Sequence, residues 1–155
     1  MSTLSKRSLV LLVLGVVVLA VVAFAVIKRD AIGDLILKGG DTSLTGQSAQ
    51  SSPQARLALD FLSALRASDV KAMTELTTGE QATRIQQEAT TPTPDFQNMK
   101  AMMLADLPAD STELRSRIKS VQIHKNRGVV TFETKANSWM VMLEEANGKW
   151  KVSGF

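Results

Sequence analysis

The sequence predicts an α+β fold behind an N-terminal transmembrane helix, with three to four helices packed on a curved four-strand antiparallel sheet. Three observations predict it. Leu9 to Ile27 is an unbroken apolar run, LVLLVLGVVVLAVVAFAVI. Between Ser52 and Leu107, apolar residues recur at three- and four-residue spacing behind cap signals. From Leu114 to Phe155 the pattern changes to the alternation of strands broken by turn residues.

The apolar run makes a helix of roughly 28 Å at 1.5 Å rise per residue, close to the ~30 Å hydrocarbon core of a bilayer. Residues 1–8 form a basic leader with Lys6-Arg7, and Lys28-Arg29 follow the run. A cleaved secretory signal is the competing reading, with Ala23-Phe24-Ala25 as a small-x-small site. The run continues through Val26 and Ile27, however, with no polar stretch before that site, which favours an uncleaved anchor. The chain has no cysteine, which excludes a lipid-modified thiol and disulfides. The leader and the amino terminus place the amino end inside, although Lys28, Arg29 and Lys38 nearly balance them. The expectation is a single-pass protein of the inner (cytoplasmic) membrane, held in lipid through Leu9–Ile27, with its domain extracytoplasmic.

The charge balance excludes nucleic acid as a partner. The formal net charge is +3, but the first twenty-nine residues supply four positive charges and no negative ones. Pro53 to Phe155 carries thirteen Lys/Arg against twelve Asp/Glu, so it lacks the basic excess that phosphate neutralisation requires.

Residues 28–52 are expected to form a juxtamembrane segment and a flexible linker. Ile32, Leu35 and Ile36 keep helical spacing, and then Gly39-Gly40 opens a stretch rich in Ser, Thr, Gly and Gln. No GK[ST] follows these glycines, so they are not a phosphate loop.

Ser52-Pro53 starts the folded part, residues 53–155, with a capping hydroxyl and a proline that loses nothing at the first helical position. Leu57, Ala58, Phe61, Leu62 and Leu65 make one apolar stripe. A short helix beginning at Ser68 or Asp69 presents Val70, Met73 and Leu76, and a third follows Thr78. Thr93-Pro94 repeats the cap and leads a helix bearing Phe96, Met99, Met103 and Leu107, ending near Pro108. Four strands are expected at Leu114–His124, Gly128–Ala136, Ser138–Glu145 and Lys149–Phe155. A bulge is expected between Lys119 and Ile123. Asn147-Gly148 is a type I′ hairpin turn, because both residues tolerate positive φ. Trp139, Val141 and Leu143 share one face of the third strand. Met140 and Met142 make its other face apolar too, as suits a strand flanked on both sides.

Helices followed by a meander, with FLSALRASDVKAMTEL at the start and NGKWKVSGF at the finish, resemble the nuclear transport factor 2-like (cystatin-like cone) superfold. The matching residues are Phe61, Leu62, Leu65, Asp69, Met73, Leu76, Trp150, Val152 and Gly154. The chain is also similar to small, membrane-anchored bacterial members of unknown function. The resemblance implies a cone whose mouth serves as catalytic pocket, ligand site or protein-binding surface. Ketosteroid-isomerase-like members use a Tyr donor and acidic groups in the cone. This chain has no Tyr and no Asp after Asp110. Similarity to the membrane-anchored scaffold subunits of secretion machines suits the arrangement better, although those domains are longer.

The remaining inventory gives no catalytic residues, cofactor or metal site. His124 is the single histidine, at a strand end beside Lys125-Asn126, with no nucleophile elbow in the chain. The expected function is therefore a non-enzymatic protein-binding or assembly module at the cell envelope, with an envelope protein as partner. The alternative is a domain that binds an apolar small molecule or lipid in its cone. Phe96, Met99, Met103, Phe132, Trp139, Met140 and Trp150 are the candidate pocket or contact residues.

Overall fold

Strand pairing organises the domain. In a computed structural model, which describes residues 42–155, five strands form one antiparallel sheet in sequence order. They are β1 (Thr42–Thr45), β2 (Ile118–His124), β3 (Arg127–Glu133), β4 (Ser138–Ala146) and β5 (Lys149–Gly154). Six helices precede β2: α1 (Gly46–Ser51), α2 (Pro53–Ala67), α3 (Val70–Leu76), α4 (Gly79–Thr90), α5 (Pro94–Asp106) and α6 (Ser111–Ser116). The α+β class and the antiparallel sheet agree with the sequence. The expected Leu9–Ile27 helix lies outside the described residues. Among those described, no helix is long and apolar enough to cross a membrane.

Two expectations are corrected. The sheet has five strands rather than four, because Thr42–Thr45, read as linker, pairs with β2 from Thr42↔Ile123 to Thr45↔Ser120. Gly46–Ser51 is helical as well, so ordered structure starts before Pro53. The physical reason is tertiary. TSLT has a single apolar residue, Leu44, and becomes a strand by bonding to β2 while Leu44 packs against the core. The second correction is at Leu114, expected in a strand but found buried in α6. The Asp110 carboxylate caps that helix, accepting from the amides of Thr112 and Glu113 at 3.0 and 2.8 Å.

The other boundaries follow their caps. Ser52 Oγ accepts from the Ala55 amide at 3.1 Å and donates to the Ala49 carbonyl at 2.8 Å, which joins α1 to α2. Asp69 caps α3 through the Ala72 amide. Ser68, at φ 55°, ends α2 in the left-handed region. The bulge falls between Ile118 and Ser120, where two steps along β2 match one along β3. Asn147 and Gly148, at φ 55° and 71°, make the β4–β5 turn.

The helices cover one face of the sheet. Phe61, Leu62 and Leu65 of α2 join Met103, Val121, Val130, Phe132, Val141, Leu143 and Val152 in a core where each side chain is at most 2 % exposed. This filling is the main stabilising contact of the domain, since each fully buried side chain of this size contributes about 1.5–3 kcal/mol. Val129 is buried on the opposite face, paired with Gln122 and Met142. The β5 edge is covered. Thr77 bridges Val152, the Thr78 amide donates to the Val152 carbonyl at 2.8 Å, and Gln81 Nε2 donates to the Ser153 carbonyl at 3.0 Å. The β1 edge pairs with no further strand among the described residues.

Candidate functional site

The site is built where α3, α4 and α5 converge. Met73 of α3, Ile85 of α4 and Phe96 of α5 are all buried, because each helix turns its apolar stripe toward the same line. Above them Val70, Ala89 and Pro92 complete an apolar groove of about 300 Å³, half open to solvent. Glu88, Gln97, Lys100 and Ser68 form its polar rim.

Hydrogen bonds hold the rim. The Glu88 carboxylate accepts from the Thr93 amide at 2.8 Å and the Thr93 hydroxyl at 2.7 Å, which clamps the end of α4 to the cap of α5. Those two bonds, aided by the charge of Arg84, hold the Glu88 carboxyl below its usual range. The Arg84 guanidinium lies 5.9 Å from the centre of the Phe96 ring, within cation–π range. Lys100 Nζ donates to Ser68 Oγ at 2.8 Å. Phe155 joins Phe96 to the core, with ring centres 6.1 Å from Phe96 and 4.8 Å from Phe61.

The candidate residues named from sequence do not come together. Phe96 lines the groove. Met103 and Phe132 are core, at 1 % and 0 % exposure, and Met99 packs half-buried against that core. Trp139 and Trp150 are half-buried at the margin of the same core, and Trp139 Nε1 donates to Asp106 Oδ2 at 2.7 Å. Met140 pairs with Thr131 and lies on the other face from Val141, away from the helices. Ala89, Pro92 and Lys100 carried no sequence signal as groove residues, because the three helices that assemble them are joined only in the tertiary fold. Val70 and Met73 are visible in the sequence as part of an apolar stripe with Leu76.

The arrangement joins an apolar floor to a polar rim in which Lys100 and Ser68 are hydrogen-bonded. Among the described residues, no three His, Asp or Glu side chains gather as metal ligands. His124 is exposed at the end of β2, away from α3–α5 in the chain. No protein-family model, curated protein or solved structure matches this chain.

Proposed function

We propose that the chain is a single-pass, membrane-anchored protein whose domain, of nuclear transport factor 2-like type, is a non-enzymatic protein-binding or assembly module at the cell envelope. The observation that carries this reading is the α3–α5 groove, a half-open channel with an apolar floor of Val70, Met73, Ile85 and Phe96. A half-open channel suits the side chains of a protein partner, whereas pockets for small molecules enclose most of the ligand. The space between helices and sheet, where the alternative reading would seat a lipid, is occupied by Phe61, Leu65, Phe132 and Val141. The Leu9–Ile27 run supplies the anchor in this reading.

A photo-activated crosslinker introduced at Ala89 or Pro92 of the full-length protein in cells tests it. The expected result is one defined protein adduct from both groove positions and none from Ser138, which is exposed on β4. Equal adducts from all three positions, or turnover of a substrate by the purified protein, would overturn the proposal.

A further inference from the structure

The connection from α4 to α5 reads Thr90-Thr91-Pro92-Thr93-Pro94, and all five residues are exposed. Threonines interleaved with prolines are the composition of O-glycosylated segments, since proline keeps the preceding residue extended and its hydroxyl accessible. The three hydroxyls are not equivalent here. Thr90 Oγ1 donates to the Gln86 carbonyl at 3.0 Å, within the last turn of α4. Thr93 Oγ1 donates to Glu88 Oε1 at 2.7 Å and accepts from the Phe96 amide, so a substituent there would break the cap of α5. Thr91 makes no side-chain hydrogen bond among the described residues. Its backbone, at φ −135° and ψ 81°, has already left the helix, while its amide stays bonded to the Gln87 carbonyl at 2.7 Å. A group added to Thr91 Oγ1 therefore displaces no contact.

Thr91 also borders an open depression of about 530 Å³ whose other walls include Thr83, Gln86, Gln87, Glu88 and Thr90. Threonine methyls and glutamine methylenes stand there beside hydroxyls and amides. A sugar ring has the same mixture, with C–H faces between hydroxyl groups. The one charge among the lining side chains is the Glu88 carboxylate, which the bonds from Thr93 keep ionised. A phosphate on Thr91 would share the depression with that anion and with no lining cation.

We infer that Thr91 is an O-glycosylation site, carrying a neutral monosaccharide on Oγ1 that lies in the adjoining depression. This goes beyond the protein-binding reading and does not depend on it. In the transfer, Thr91 Oγ1 bonds to the anomeric carbon of an activated glycosyl phosphate, a nucleotide- or lipid-linked sugar. The bond from that carbon to the phosphate oxygen breaks, and the phosphate leaves with the electron pair. The hydroxyl proton passes to a base of the transferase, a separate enzyme.

The test is the intact mass of the full-length protein purified from the cells that naturally make it, with electron-transfer fragmentation to locate any added mass. The expected result is a species heavier than the sequence by whole neutral-sugar increments, located on Thr91. Thr91→Ala should remove that increment, Thr91→Ser should keep it, and Thr83→Ala, in the wall of the depression, should leave Thr91 modified. Circular dichroism of each variant establishes that it is folded. A phosphate increment on Thr91 overturns the inference, as does sugar on Thr90 or Thr93 with Thr91 bare. A mass equal to that of the unmodified sequence overturns it as well.

Discussion

Asp106 Oδ2 accepts a hydrogen bond from Trp139 Nε1 at 2.7 Å, linking the last residue of α5 to the start of β4. The same oxygen accepts from Asn137 Nδ2 at 2.9 Å and Thr134 Oγ1 at 3.0 Å. One carboxylate thus organises the β3–β4 turn. Bonds from Asn137 and Trp139, with a smaller one from Thr134, hold the Asp106 carboxyl below its ordinary value of 3.8.

A pH dependence follows from that depression. The carboxylate contributes stability that is fully present above its unfolded value and is lost as pH falls through the lower folded value. Urea unfolding midpoints of the wild type should therefore fall more steeply between pH 5 and pH 3 than those of Asp106→Ala. Parallel curves for the two proteins would show that the three bonds are not formed in solution.

Phe132 and Met140 separate core from outer face. Phe132 is fully buried opposite Trp139, so Phe132→Ala should cost about 3–5 kcal/mol. Met140→Ala, on the face away from the helices, should cost less than half as much. Similar losses in denaturant unfolding would mean that the outer face is covered.

Ser52 carries two bonds from a buried position, being 5 % exposed. Ser52→Ala should lower stability by about 1 kcal/mol, chiefly through the lost cap of α2, since the Ala49 carbonyl keeps its bond from the residue 52 amide. Ser51→Ala, next to it and exposed, should change stability little.

Gly128 sits beneath the Trp150 ring. A Cβ there would lie 3.2 Å from the ring and 3.5 Å from Leu143 Cβ. Gly128→Ala should therefore destabilise by about 1 kcal/mol, crowding against the indole outweighing the entropy gained in the unfolded chain. Trp150→Leu in the same chain should remove that penalty, read as a positive coupling in a double-mutant cycle.

Local chemistry made much of this fold legible in sequence. Ser52-Pro53, Thr93-Pro94 and Asn147-Gly148 each fix a boundary through a side chain or dihedral preference that acts within a few residues. All three mark boundaries of the structure. The stripe of Phe61, Leu62 and Leu65 was readable because period and burial coincide. Thr42–Thr45 was not, since four residues with one apolar member owe their strand to β2, more than seventy positions away. The groove was illegible for a similar reason. Phe96 was visible as apolar, but nothing near it in sequence says that Ala89, Pro92 and Val70 will stand around it. Lys100 reads as an ordinary helix-surface cation until its neighbours are placed.

The two rims of the sheet differ, and the difference limits how copies of this domain can join. At β5 the carbonyls of Val152 and Ser153 already have donors from Thr78 and Gln81, whereas β1 pairs with no further strand among the described residues. A ribbon grows without end only when every unit offers two sticky sides. With one side sealed, edge-to-edge addition stops at a pair, so the domain carries its own chain terminator against fibrous growth.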